Sequence, residues 1–455
     1  MTPYRVLVVD DSAFMRAIVS DLVTNDEQFE VVATASNGIE AIDAIDKFKP
    51  DAVTMDLEMP VMNGLEALKQ IMSVRPLPVI MLSGISEENT RDTIKALQSG
   101  AFDFIRKPAI DGSVDIGQVG GQLLDKLRIA VMVGGNRLKP ESRKPARLEE
   151  ATAPRADRKR PEGKPAGKAE PPETAAREGA GKRAVKPAPQ DRPKSPLHQT
   201  FSGLAIQDEP SVPAAGKPAK PTPGKGRPKQ GGPAAQTPAE PSDNMPAAAS
   251  KPKGSTVFDS IVLIGTSTGG PKALHEVISS LPPRLDAPVL VVQHMPPNFT
   301  RSLAQRLDAF SAVRVTEAVQ GERIETGTVY IAPGGYHMEL AKDRGGYYAK
   351  LTLEEARSGH RPSVDVLFES AVLYPELNRH AVIMTGMGSD GAKGMKALRD
   401  SGARTTIAES EQTCVVYGMP RSAVEIGAAT DVLPLPRIAS FLLSALGKQG
   451  HNYTG

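Results

Sequence analysis

Three residues stand out because each follows an apolar run and opens a glycine-rich or polar loop. Ser267 lies at the centre of Gly265-Thr266-Ser267-Thr268-Gly269, with Gly270 and Pro271 behind it and an apolar stretch ahead. His294 follows residues 289–293, and Asp390 lies in Gly386-Met387-Gly388-Ser389-Asp390-Gly391 after residues 381–385. A serine hydroxyl is a poor nucleophile until an imidazole removes its proton, and a carboxylate must hold that imidazole in the right tautomer. Ser267 would then attack a carbonyl, His294 would act as base and then acid, and Asp390 would orient His294. G-x-S-x-G between a strand and a helix exposes the hydroxyl above a sheet and backs it with helix N-terminal amides that can stabilise an oxyanion. The chain order Ser, His, Asp differs from that of the α/β-hydrolases, chymotrypsin and subtilisin, which points to a separate fold with a convergent triad. A phosphate-cradling turn is the competing interpretation. It lacks G-x-G-x-x-G and a P-loop lysine, and the next strand ends in Gln293-His294 with no acidic residue for a ribose.

A second group lies near the N-terminus. Asp10 and Asp11 end a first apolar run, Asp56 ends a third, Ser83-Gly84 a fourth and Lys107-Pro108 a fifth. At the carboxyl ends of adjacent parallel strands these groups would converge. Three carboxylates in a small volume repel one another unless a hard divalent cation neutralises them, and Mg²⁺ suits oxygen ligands beside a phosphate. The Ser83 hydroxyl and Lys107 ammonium could bind the oxygens of a phosphoryl group carried by Asp56.

Parallel sheets are the elements that would place such groups. Residues 4–9, 29–35, 52–55, 79–83 and 102–106 read as strands, with crossover helices such as 15–23 and 64–74 between them. The rhythm resumes from Phe258, with strands expected at 260–265, 289–293, 328–332, 348–353 and 381–385 in a largely parallel central sheet. Between the two regions the chain is rich in Pro, Ala, Lys and Gly, almost without aromatic residues, and carries a basic excess. Such a segment cannot bury enough apolar area to offset its ordering entropy, so disorder is expected. A small apolar island at 201–206 interrupts it, either a chance cluster or a docking motif. The expected organisation is thus domain 1–130, linker 131–255, domain 256–446 and a flexible tail 447–455.

Bulk properties narrow the function classes. A net charge of +2 over 455 residues gives no global signature of nucleic-acid binding. The lone cysteine, Cys414, excludes an internal disulfide framework and suits a reducing cytoplasm. No apolar run reaches membrane-spanning length, and the first ten residues lack a signal peptide's core. Cys414 reads as a buried inert thiol. His337, His360 and Asp365 read as structural or substrate-contacting groups, with His337 near the mouth of the same cleft. A pure binding domain would not need Ser267, His294 and Asp390 together. An esterase for small molecules stays open, although no long apolar lid segment is apparent.

Residues 1–130 resemble the response-regulator receiver family in Asp10, Asp11, Asp56, Ser83 and Lys107, with Phe104 in the position of that family's aromatic switch residue. The resemblance implies a flavodoxin-like fold with Asp56 as phosphoacceptor and a chemotaxis-type sensor histidine kinase as phosphodonor. Asp11, Asp56 and the backbone carbonyl of Glu58 would hold Mg²⁺, supported by Asp10, and phosphate would draw Ser83 inward. Residues 256–446 resemble the Rossmann-like catalytic domain of the chemotaxis protein-glutamate methylesterases in stretches 265–271, 293–299, 331–339, 360–368, 385–394 and 414–420. That implies a serine carboxylic-ester hydrolase with triad Ser267, His294 and Asp390, supported at the oxyanion hole by Thr268 and Met387, with no cofactor at the esterase site. It implies hydrolysis of γ-glutamyl methyl esters and deamidation of glutamines on methyl-accepting chemoreceptors, with no nucleic acid involved. The family usually joins its domains by a much shorter segment, and its unphosphorylated receiver covers the catalytic cleft.

Overall fold

The computed structural model describes residues 2–107, 116–137, 251 and 254–447. The expectations for the Pro/Ala/Lys-rich segment, the island at 201–206 and the C-terminal tail fall almost wholly outside these residues.

The N-terminal region alternates β1 (Tyr4–Val9), α1 (Ala13–Thr24), β2 (Phe29–Ala35), α2 (Gly38–Phe48), β3 (Ala52–Asp56), α3 (Gly64–Val74), β4 (Val79–Ser83), α4 (Glu87–Gln98), β5 (Asp103–Arg106) and α5 (Ile116–Arg137). The helix α5 runs past residue 130, where the domain limit was expected. The five strands pair in parallel in the order β2-β1-β3-β4-β5. Alternation along β1 splits the core: Val6 and Val8 face α1 and α5, while Leu7 and Val9 face α2, α3 and α4. The strand order reverses between β1 and β3, which opens a crevice at their carboxyl ends.

The C-terminal region continues with β6 (Ser260–Thr266), α6 (Gly270–Ser279), β7 (Val289–Gln293), α7 (Phe299–Phe310), β8 (Arg314–Glu317), β9 (Thr328–Ile331), β10 (His337–Asp343) and β11 (Gly346–Thr352). Then come α8 (Val364–Val372), β12 (Asn378–Ile383), α9 (Ala392–Asp400), β13 (Thr405–Glu409), α10 (Met419–Glu425), β14 (Asp431–Leu433) and α11 (Leu435–Gly447). Its sheet has seven strands in the order β14-β13-β12-β6-β7-β9-β8, every pair parallel. One face of β6, carrying Val262 and Ile264, packs on α6, α7 and α11. The other, with Ile261 and Leu263, packs on α8, α9, α10 and the antiparallel pair β10 and β11.

Two expectations change here. The strand expected at 348–353 exists as β11, but it pairs antiparallel with β10 outside the central sheet. His337 is accordingly not at a cleft mouth. It is buried at the start of β10, bonded to the Glu355 carbonyl and the Ser363 amide. The strands β8, β10, β13 and β14 were not foreseen: β8, β13 and β14 are short, β8 and β14 form the sheet's edges, and β10 lies outside the central sheet. No described helix is long and apolar enough to cross a membrane.

Candidate active site and phosphoacceptor site

In the N-terminal sheet, the reversal between β1 and β3 brings Asp10, Asp11 and Asp56 together, with ligand oxygens all within 4.8 Å of one another. Lys107, following β5, reaches in with Nζ 2.9 Å from Asp10 Oδ2 and 2.6 Å from Asp56 Oδ2. Asp10 and Asp56 are buried while Asp11 is exposed. Burial raises the Asp56 carboxyl to about 6, with the Lys107 ammonium opposing the rise and the neighbouring Asp10 adding to it. Burial would lower the Lys107 ammonium, but Asp56 and Asp10 outweigh it and hold it above its ordinary value. An all-oxygen donor set with one exposed member fits a hard cation. Glu58 is exposed and lines an open cleft with Asp11 and Asn63. Ser83 ends β4 as expected, but its hydroxyl is engaged by Thr93 at 2.6 Å and by the Gly84 carbonyl at 3.0 Å. Phe104 is buried, and it lies against Phe299 of the C-terminal region with ring centroids 4.5 Å apart.

In the C-terminal sheet the strand order reverses between β6 and β12, and the crevice there takes the second set. The backbone of Ser267 leaves β6 in a tight turn. Its amide donates to the Thr385 carbonyl at 3.1 Å, and its carbonyl accepts from the Gly270 amide at 2.8 Å and Gln293 Nε2 at 2.9 Å. Gly269 starts α6 with φ 80°, and a Cβ there would come within 2.6 Å of the Val415 side chain. A Cβ on Gly386 would meet Ser267 Cβ at 2.9 Å, so glycine lets the loop after β12 close on the serine.

Strands β6 and β7 pair Thr266 with Gln293, so the next residues, Ser267 and His294, stand side by side at the sheet edge. His294 Nε2 donates to Asp390 Oδ2 at 2.8 Å. Its other ring nitrogen, Nδ1, is buried without a hydrogen-bond partner, and no bond joins it to Ser267 Oγ among the described contacts. Asp390 is buried against the N-terminus of α8. Its carboxylate accepts from Ser363 Oγ at 2.8 Å, the Val364 amide at 2.7 Å and the Asp365 amide at 3.1 Å. Burial alone would raise this carboxyl, yet His294, the Val364 amide and the Ser363 hydroxyl together hold it down at about 2. Asp390 is therefore ionised near neutral pH.

The remaining expected residues fall as follows. Thr268 is buried, with its hydroxyl donating to Asp103 Oδ2 of β5 at 2.5 Å; Met387 is exposed on the loop after β12. Asp365 turns away from His294 and accepts from the Gly394 amide at 2.7 Å. Cys414 is buried, and burial, then the nearby Glu409, push its thiol up. Sequence reasoning missed Gln293, whose side-chain amide ties the Ser267 and His294 carbonyls together. It also missed Glu409, which accepts from the Thr385 amide at 2.8 Å and so braces the residue whose carbonyl holds the Ser267 amide. The polar residue directly before His294 was the available signal for the first. Nothing marked the second.

The N-terminal region lies over this crevice. Besides the Asp103–Thr268 bond, Thr90 bonds Ser302 at 2.8 Å and Arg306 donates to Gln98 at 3.0 Å; within the N-terminal region, Lys126 of α5 pairs with Asp103 at 2.5 Å. Val416, two residues past Cys414, joins the apolar cluster of Val119 and Leu123 on α5.

Comparison with known proteins agrees with both halves. Residues 6–114 match the response regulator receiver domain model and residues 262–442 the CheB methylesterase model. A protein-glutamate methylesterase/protein-glutamine glutaminase of Geobacillus kaustophilus is 38% identical over 448 residues, covering 98% of this chain and 100% of the relative. One of the same description from Bacillus subtilis is 38% identical over 445 residues, covering 98% and 99%. The crystal structure of the Thermotoga maritima CheB methylesterase catalytic domain is 46% identical, covering 41% of this chain and 99% of that one, with TM-score 0.40. The chain belongs to the protein-glutamate methylesterase/protein-glutamine glutaminase family, with a receiver domain ahead of a CheB catalytic domain.

Proposed function

We propose that this chain hydrolyses γ-glutamyl methyl esters on methyl-accepting chemoreceptors, releasing methanol, and deamidates receptor glutamines, releasing ammonia, under control of Asp56 phosphorylation. Ser267 is the nucleophile, His294 the general base and acid, and Asp390 the group that orients His294. The observation that carries this reading is the His294–Asp390 bond at 2.8 Å, made beside Ser267 where β6, β7 and β12 end together. With Nε2 committed to Asp390, Nδ1 is the atom left to take the Ser267 proton. Attack by Oγ on the γ-carbonyl gives a tetrahedral oxyanion, stabilised near Thr268 and Met387. Collapse expels methanol or ammonia with the proton returned by His294. Water, activated by the same imidazole, then releases the glutamate from the acyl-serine. Ester and amide differ only in the leaving group, so one triad serves both.

At the receiver, Mg²⁺ would be held by Asp10, Asp11, Asp56 and the Glu58 carbonyl, and its charge would allow a phosphoryl group to approach three carboxylates. A chemotaxis-type histidine kinase is the phosphodonor, and the cytoplasm is where kinase, enzyme and receptor tails meet. Lys107 and Ser83 would bind the new phosphoryl oxygens, drawing Ser83 away from Thr93. Since β5 carries both Phe104 and Asp103, a shift there loosens the contacts over the crevice. The two-domain organisation with an intervening linker belongs to the same proposal, with the first domain extended from 130 to the end of α5 at Arg137.

The test is methanol release from methylated receptor membranes by the phosphodonor-treated chain and by its Ser267→Ala variant. Release that vanishes in the variant is expected. Release that persists removes Ser267 as nucleophile.

A further inference from the structure

The turn between β11 and α8 makes a contact with the triad that the chemistry above does not use. The His360 ring lies flat on the His294 ring, with centroids 3.8 Å apart and planes within 8°. His360 is held there firmly. Its turn is closed by two bonds, Arg357 amide to His360 carbonyl at 3.0 Å and the reverse at 2.9 Å. Ser358 and Gly359 between them have φ 53° and 79°, the left-handed pair that a two-residue hairpin turn requires. The Arg357 guanidinium grips the Glu369 carboxylate of α8 through both its terminal nitrogens. Arg361 donates to the carbonyls of Leu353 and Glu354 at 3.0 and 2.8 Å. The ring is therefore placed by its surroundings before any substrate arrives.

A second ring at stacking distance does two things. It keeps water from one face of His294 and stops that ring from turning out of its plane. It also offers a π face to the imidazolium that forms when His294 takes a proton, a favourable contact only while the second ring is itself uncharged. Burial, followed by His294 itself, pushes His360 down to about 4, so it is neutral near pH 7. The charged groups acting on it are Asp390 beyond His294 and Lys126 from α5.

We propose that His360 is a positioning residue: its ring, stacked on His294, holds the imidazole in the plane that joins Ser267 to Asp390 and stabilises the imidazolium during acyl transfer. The proposal rests on His294 being the general base.

The experiment measures kcat and KM for methanol release by the full-length, phosphodonor-treated chain. His360→Ala should lower kcat by about 2- to 30-fold, the range a cation–π contact supplies, with KM unchanged. His360→Phe keeps a flat ring without an ionisable group and should recover most of kcat. His360→Asn, which fills part of the space without a π face, should behave like alanine, so the contrast with phenylalanine survives if alanine alone folds poorly. Wild-type kcat in both alanine and asparagine variants would overturn the proposal. So would a rise in KM at constant kcat, which marks a substrate contact, or a phenylalanine variant no better than alanine. Ser267→Ala and His294→Ala are run in parallel. If they keep activity, the triad assignment has failed; if they lose it while the His360 variants do not, only the role of His360 has.

Discussion

Replacing Asp103 should release the catalytic crevice without touching a residue of the triad. Asp103 belongs to β5 of the receiver, yet its Oδ2 accepts the Thr268 hydroxyl at 2.5 Å and lies 2.5 Å from Lys126 Nζ. The Lys126 pair stays within the receiver and survives opening, so only the Thr268 bond counts toward closure. Hydrogen bonds to a charged group contribute about 1.5–3 kcal/mol net. At about 1.4 kcal/mol per tenfold, Asp103→Ala should shift the closed-to-open ratio by roughly 10- to 100-fold. On the proposed regulation the unphosphorylated chain works only when open, so its basal rate should rise by that factor until it meets the phosphorylated rate. Methanol release without phosphodonor measures the rise, and the stimulation by phosphodonor should shrink in proportion. A folded Asp103→Ala chain with wild-type basal rate and undiminished stimulation would refute the reasoning. Closure would then rest on the apolar contact and on the Thr90–Ser302 and Arg306–Gln98 bonds.

Two further outcomes follow from buried carboxylates. Asp56 has a folded pKa of about 6 against an ordinary 3.8, so its contribution to stability is full below about pH 3.8 and is lost as pH rises through about 6. Asp56→Asn should therefore be more stable than wild type at pH 7.5 without divalent cations, by up to about 3 kcal/mol, the gap roughly halved at pH 5 and closed below about pH 3.8; a lower melting point at pH 7.5 would mean that losing the Lys107 pair outweighs relief of burial. Ser363 caps α8 and donates to Asp390, so Ser363→Ala should cost about 1 kcal/mol in thermal unfolding and lower kcat several-fold with KM little changed. Unchanged kcat would show that the Val364 and Asp365 amides hold Asp390 unaided.

The two sites were legible because each depends on a strand ending in a polar or glycine-rich loop, and parallel sheets gather such ends at one edge. Asp10, Asp56, Ser267, His294 and Asp390 all announce themselves that way. What stayed hidden is what side chains do once elements pack. That Asp390 would sit on the N-terminus of α8 depends on a helix that precedes it by a strand and a loop. The stacking of His360 on His294 depends on a hairpin turn whose place over the sheet is set by the β10–β11 ribbon, itself mistaken in part for a sheet strand. Glu409 ends an unforeseen strand, where a buried carboxylate broke the apolar pattern that would have marked it. The Asp103–Thr268 bond joins two domains far apart in the chain, and local pattern carries no trace of it.

The apolar cluster on one face of the catalytic sheet does not stop at the domain's edge. Leu97, Ala101 and Phe104 of the receiver belong to it together with Ala273, Phe299 and Leu303 of the catalytic domain. Opening the crevice therefore wets oily surface as well as breaking hydrogen bonds, and it carries a positive heat-capacity change. Attraction of this kind weakens on cooling. The apolar share of the receiver's hold on the crevice is thus a temperature-dependent restraint, weaker in the cold than in the warm, set beside hydrogen bonds that do not follow the same rule.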